Sequence, residues 1–177
     1  MKIDETEPRT VTYRLTPDKG DEEYGHCMWA RYVFDCDNGR LSINSDVGDF
    51  SYGWGHNVHE EFMHLMGRVD EGYLLGKLSC PSVFRLEASK EGTVRNLREY
   101  GADYLKTDGQ QDTMAERVMD IDSGAGEETF LREVYAIVPG IDWEDIEIVK
   151  DYPHGAVTVV QMFIRYLQPK IREGFCG

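Results

Sequence analysis

Several features are scarce in this 177-residue chain, and each scarcity removes a class of function. There is no P-loop, no G-x-S-x-G elbow and no His-Glu-x-x-His helix, so the usual signatures of phosphate cradling, serine acyl transfer and zincin hydrolysis are missing. Basic side chains are few: 19 Lys and Arg face 33 Asp and Glu, a formal net charge of −14. Nonspecific nucleic-acid binding depends on basic groups that release counterions from phosphates, so this balance opposes it. The four cysteines, Cys27, Cys36, Cys80 and Cys176, are scattered without metal-finger spacing. Cys27 and Cys36 flank a predicted strand and turn, yet a cytosol disfavours their pairing, and reduced thiols are expected. No apolar run approaches a membrane-spanning length, and Met1 to Pro8 lacks the basic start and apolar segment of a secretory signal. A cytoplasmic address and no membrane contact are the expectations.

What the chain does have is a legible hairpin. From Leu41 to Trp54 the residues alternate: Leu41, Ile43 and Ser45 face one way, Ser42, Asn44 and Asp46 the other, and Phe50, Tyr52 and Trp54 line one face of the returning strand. Strands are predicted over Thr10–Thr16 and Tyr24–Phe34, around a solvated Asp21-Glu22-Glu23 loop. An Asn38-Gly39 turn precedes the third strand, and Val47-Gly48-Asp49 turns it into the fourth.

After Trp54 the period shifts to about 3.6, predicting a helix from Asn57 to Arg68 that buries Phe62, Leu65 and Met66. A short helix capped by Asp70 runs to Leu78, another from Glu87 to Tyr100, and a brief one from Asp112 to Met119. Glu127 to Val138 reads as helix, Trp143 to Val149 as ambiguous, and a terminal helix follows Tyr152-Pro153, its end kinked by Pro169. Strands first and helices afterwards predict α+β: an antiparallel three- to four-stranded sheet with helices on one face. A single domain over 1–177 is expected, sheet-rich over 10–55 and helical over 56–177, with 101–126 as a mobile connector.

The candidate chemistry is sparse. His59 and His64 stand five apart, about 140° around a helix, which is the wrong angle for one ion. His56 and His59 could join Asp46 or Asp49 in a metal site, but no spacing fixes a third ligand. Asp46 and Asp49 with Lys77 resemble magnesium-nuclease equipment, but that equipment is generic, and the favoured role for aspartates at a turn is to satisfy backbone donors. Gly53-Trp54-Gly55 lacks the lysine that phosphate binding needs. Trp29, Tyr32, Phe34, Phe50, Tyr52 and Trp54 suit a sheet core or a protein-docking patch better than a base-stacking platform, given the charge. No catalytic residue, metal or cofactor is assigned.

Ser45 to Gly55, the Phe62-containing helix and Tyr73-Leu74-Leu75-Gly76-Lys77-Leu78 resemble a family of small bacteriophage and prophage proteins. The resemblance spans Arg40 to Leu97, with a weaker echo from Ala156 to Glu173. It implies an accessory phage gene product acting inside a bacterium, a pool that includes anti-CRISPR inhibitors of host defence. Combined with the charge, it leads to an acidic binding protein that docks on a basic nucleic-acid groove of a defence protein or ribonucleoprotein. Asp46, Asp49, Glu60, Glu61, Asp142, Glu144, Asp145 and Glu147 are the partner-binding carboxylates expected from local charge density. The alternatives are a small metal-dependent nuclease on Asp46, Asp49, His56, His59 and Lys77, and a structural or regulatory phage protein, a homodimer included, assembling through aromatic residues.

Overall fold

The computed structural model describes residues 7–55, 61–100 and 107–175. In chain order the elements are β1 (Thr10–Leu15), β2 (Ala30–Asp35), β3 (Arg40–Ser45), β4 (Gly48–Gly53), α1 (Phe62–Met66), α2 (Glu71–Leu78), β5 (Val83–Phe84), α3 (Leu86–Tyr100), α4 (Asp108–Met119), α5 (Glu127–Ile137), a 3-10 turn (Trp143–Asp145), β6 (Lys150–Asp151), α6 (His154–Met162), a π-turn (Phe163–Leu167) and α7 (Gln168–Phe175). The fold is α+β, in two compact units: Met1–Cys80 with Tyr152–Gly177, and Pro81–Asp151.

In the first unit β1 to β4 form an antiparallel meander in chain order. Alternation places Ala30, Tyr32, Phe34, Leu41 and Ile43 on one face, where all are fully buried. Leu41 pairs with Tyr52 and Ile43 with Phe50, so the aromatic face of β4 joins the same core, as the sequence predicts. Helices cover that face through Phe62, Met63, Met66, Leu74, Val159 and Phe163. Each large apolar side chain so buried contributes about 1.5–3 kcal/mol. The Tyr32 hydroxyl donates to the Val159 carbonyl at 2.7 Å, which satisfies its polar end inside the core.

Several boundaries differ from expectation. Residues 24–29 are loop, and β2 starts at Ala30. The β2–β3 connection has four residues instead of a two-residue Asn-Gly turn, with Gly39 alone at positive φ and Asn38 held by the Asp35 carboxylate. The β3–β4 turn is Asp46-Val47, since Ser45 already pairs with Gly48. Glu61 is extended and α1 begins at Phe62; the expected start at Asn57 lies outside the described residues. Asp70 caps α2 as expected, accepting from the Tyr73 amide at 2.7 Å. The terminal helix carries a π-turn just before Pro169, whose missing N–H leaves the backbone there without the usual donor.

The second unit has its own core of Leu97, Val118, Phe130, Val134, Ile137 and Ile146. α4 is longer than predicted, starting at Asp108 because Thr107 accepts from the Gln110 amide as N-cap. β5 and β6 pair antiparallel at the unit's first and last residues, a ladder extended by Ser82 N–H to the Asp151 carbonyl at 2.8 Å. Two-residue strands carry too little pattern to be read from sequence.

Candidate functional site

The Asp46 carboxylate, at the tip of the β3–β4 hairpin, accepts from the amides of Met28 (3.0 Å) and Trp29 (3.4 Å) and from the Cys27 thiol (3.2 Å). Partial desolvation pushes this carboxyl up, but the Met28 amide, the Cys27 thiol and the Trp29 amide outweigh it and hold it below its usual range. Asp49 is exposed and accepts from the Asn44 side chain at 3.2 Å. Both aspartates therefore have the local roles that turn aspartates commonly fill.

Lys77 stands elsewhere. Its ammonium lies 5.1 Å from the centroid of the Tyr52 ring and 5.6 Å from that of Tyr73, and donates to the Tyr52 hydroxyl at 3.4 Å. Trp54 completes this cluster, donating Nε1–H to the Tyr73 hydroxyl at 2.8 Å and meeting Tyr52 edge-on at 4.9 Å. Tyr52 pairs with Leu41, four residues along β3 from Ser45 and the Asp46 turn, a separation of about 13 Å at strand pitch. The aspartates and the lysine are thus at opposite ends of the hairpin. His56, His59 and Glu60 lie outside the described residues. Among the described residues no group of three or more His, Cys, Asp or Glu side chains is placed to hold a metal ion.

Glu61 is exposed and makes a 3.9 Å ion pair with Arg9. The other four expected carboxylates belong to the second unit, which also carries most of the net charge. Between Pro81 and Asp151 there are 17 Asp and Glu against 8 Lys and Arg, or −9 of the total −14 on about two-fifths of the chain. Trp143 opens the 3-10 turn at 70% exposure, with Asp142 and Glu144 exposed on either side and Asp145 half-buried. Glu147 points differently: it pairs with Arg95 at 3.8 Å, accepts from Asn96 at 3.4 Å, and lies against α3 where Gly92 has no Cβ to collide with it.

Two structural features escaped sequence reasoning. Glu23, read as part of a solvated loop, is only 4% exposed; its carboxylate accepts from Arg165 at 2.7 Å and from the Tyr166 hydroxyl at 2.8 Å. Its partners lie more than 140 residues away in sequence, so no local signal marks it. Trp143 had a signal, an indole set among carboxylates, but only its exposure distinguishes it from a core residue.

The three described cysteines are free thiols. Among the described residues no helix is long and apolar enough to cross a membrane. A family model of phage proteins, Phage_phiTE_072, matches residues 1–173. No curated protein and no solved structure matches the chain. With that match running almost end to end, the chain belongs to this phage protein family.

Proposed function

We propose that this phage protein works in the cytoplasm of the host bacterium by binding, and that it inhibits a defence effector, as anti-CRISPR proteins do, by occupying a basic nucleic-acid groove. The observation that carries this reading is the uneven charge: −9 of −14 falls within Pro81–Asp151, which also holds Trp143, 70% exposed between the exposed Asp142 and Glu144. An acidic surface steers a cationic partner and competes with nucleic acid for the same groove. An exposed indole supplies the apolar anchor that such interfaces concentrate their energy on.

The nuclease alternative has less support. Asp46 is engaged by backbone amides and a thiol, and Lys77 by two tyrosine rings, so neither is arranged around an ion or a scissile phosphate.

The test is capture of partners from host lysate on tagged protein, followed by reconstitution with the purified effector. The proposal expects salt-sensitive binding, blocked nucleic-acid cleavage by the effector, and loss of both in Trp143→Ala and Glu144→Lys. Cleavage of labelled RNA or DNA by the phage protein alone with magnesium or manganese would establish the nuclease reading instead. Mass measured by size-exclusion chromatography at several concentrations tests self-assembly.

A further inference from the structure

We propose that a cavity of about 250 Å³ in the first unit, between the Leu15–Asp21 segment and the C-terminal helix, binds a small organic ammonium ion with an apolar or aromatic body. Its walls are Leu15, Thr16, Pro17, Asp21, Met162 and Tyr166. Leu15, Pro17 and Met162 form an apolar lining, with Pro17 and Met162 buried. Asp21 is the one charged residue among these six, and it is half-buried.

One polar group is set to accept. The Tyr166 hydroxyl directs its proton to the Glu23 carboxylate at 2.8 Å and its oxygen also meets the Arg165 guanidinium, so the acceptor left for a ligand is Asp21. Asp21 takes one amide, from Asp18 at 2.8 Å, and a carboxylate has capacity for more. The guanidinium of Arg165 is already committed: it binds Glu22 at 2.6 Å and Glu23 at 2.7 Å. With Asp18, Lys19, Asp21, Glu22, Glu23 and Arg165 counted together, four carboxylates stand against two cations, and the local field is negative. An ammonium meets the Asp21 carboxylate here, whereas an anion of the same shape meets the same sign of charge. Arg165 and Tyr166 both sit on the π-turn, whose extra residue sets the direction of these two side chains relative to α6. The volume suits a fragment-sized ligand, below the usual range for drug-sized ones.

The probe is 2-phenylethylammonium, with phenylacetate as a control of similar body and opposite charge. Titration of isotopically labelled full-length protein, followed by amide NMR, is expected to show saturable shifts around Leu15–Asp21 and Met162–Tyr166 for the amine and none for the acid. Asp21→Asn is expected to weaken the amine about tenfold, the scale of one charge-assisted hydrogen bond. Tyr166→Phe, which keeps the wall but removes the hydroxyl, is expected to weaken it less. The spectrum of each free variant reports whether it is folded. Equal binding of phenylacetate, shifts mapping elsewhere, no saturation, or an Asp21→Asn variant that is folded and binds the amine unchanged would each overturn the proposal.

Discussion

The thiol of Cys27 lies 3.2 Å from an Asp46 carboxylate oxygen, joining the loop before β2 to the tip of the β3–β4 hairpin. Burial, then the hydrogen bond to Asp46 and its negative charge, push this thiol up to about 12. The contact makes Cys27 a structural donor and a poor nucleophile.

Peptide-mapped alkylation at about pH 8 should therefore modify exposed Cys80 well before buried Cys27. Asp46→Ala should raise the Cys27 rate and, by removing the acceptor of the Met28 amide, cost about 1 kcal/mol in urea unfolding. An unchanged Cys27 rate would show that Asp46 does not control the thiol.

The same contact sets an alkaline limit. A folded pKa above the unfolded value of 9.0 means that the stability from this thiol is complete below about pH 9 and is lost as pH rises toward about 12. Urea melts across that window should show a steeper decline for the wild type than for Cys27→Ala, because Tyr32, which burial also pushes up, is common to both. At the acid end the sign reverses. The depressed Asp46 carboxyl stabilises the fold above the ordinary carboxylate range, and that contribution fades as pH falls through its folded value.

Glu22 and Glu23 share one guanidinium but differ in burial, with the Glu22 side chain 81% exposed and that of Glu23 5%. Glu23→Ala leaves the Tyr166 hydroxyl without its acceptor and opens buried space, so a loss of about 2–4 kcal/mol is expected. Glu22→Ala should cost no more than about 0.5 kcal/mol. Equal losses in chemical denaturation would refute the burial argument.

Gly155, in the first turn of α6, faces the Val47 carbonyl so closely that a Cβ there would strike backbone. Gly155→Ala should lower stability by about 1–3 kcal/mol through overpacking, although alanine favours helix. A raised melting temperature would contradict the close approach.

Trp143→Ala removes a side chain that is 70% exposed, so its melting temperature should match the wild type within a degree or so. Binding to the proposed basic effector should weaken by about 2 kcal/mol or more, near thirtyfold, in calorimetry. A stable variant with full affinity would remove Trp143 from the interface.

Much of this was legible in residue order. Alternation in Leu41–Trp54 fixed which side chains face the core, Asp70 announced the start of α2, and the spacing through Glu87–Tyr100 and Glu127–Val138 placed two helices to within a residue. These signals are local, because strand faces, caps and helix stripes arise from neighbours a few residues apart. The charge excess was equally plain, since it requires only counting.

Only the tertiary structure decided what those residues touch. It buried Glu23 beneath Arg165 and Tyr166, turned Asp46 toward Cys27 and the Met28 amide, laid Glu147 on Gly92, and left Trp143 in solvent. It also gave Pro81–Asp151 a core of its own and closed it with a ladder two residues long. These outcomes depend on contacts between residues 17 to 143 positions apart, where packing and desolvation choose the partner and no short-range period records the choice.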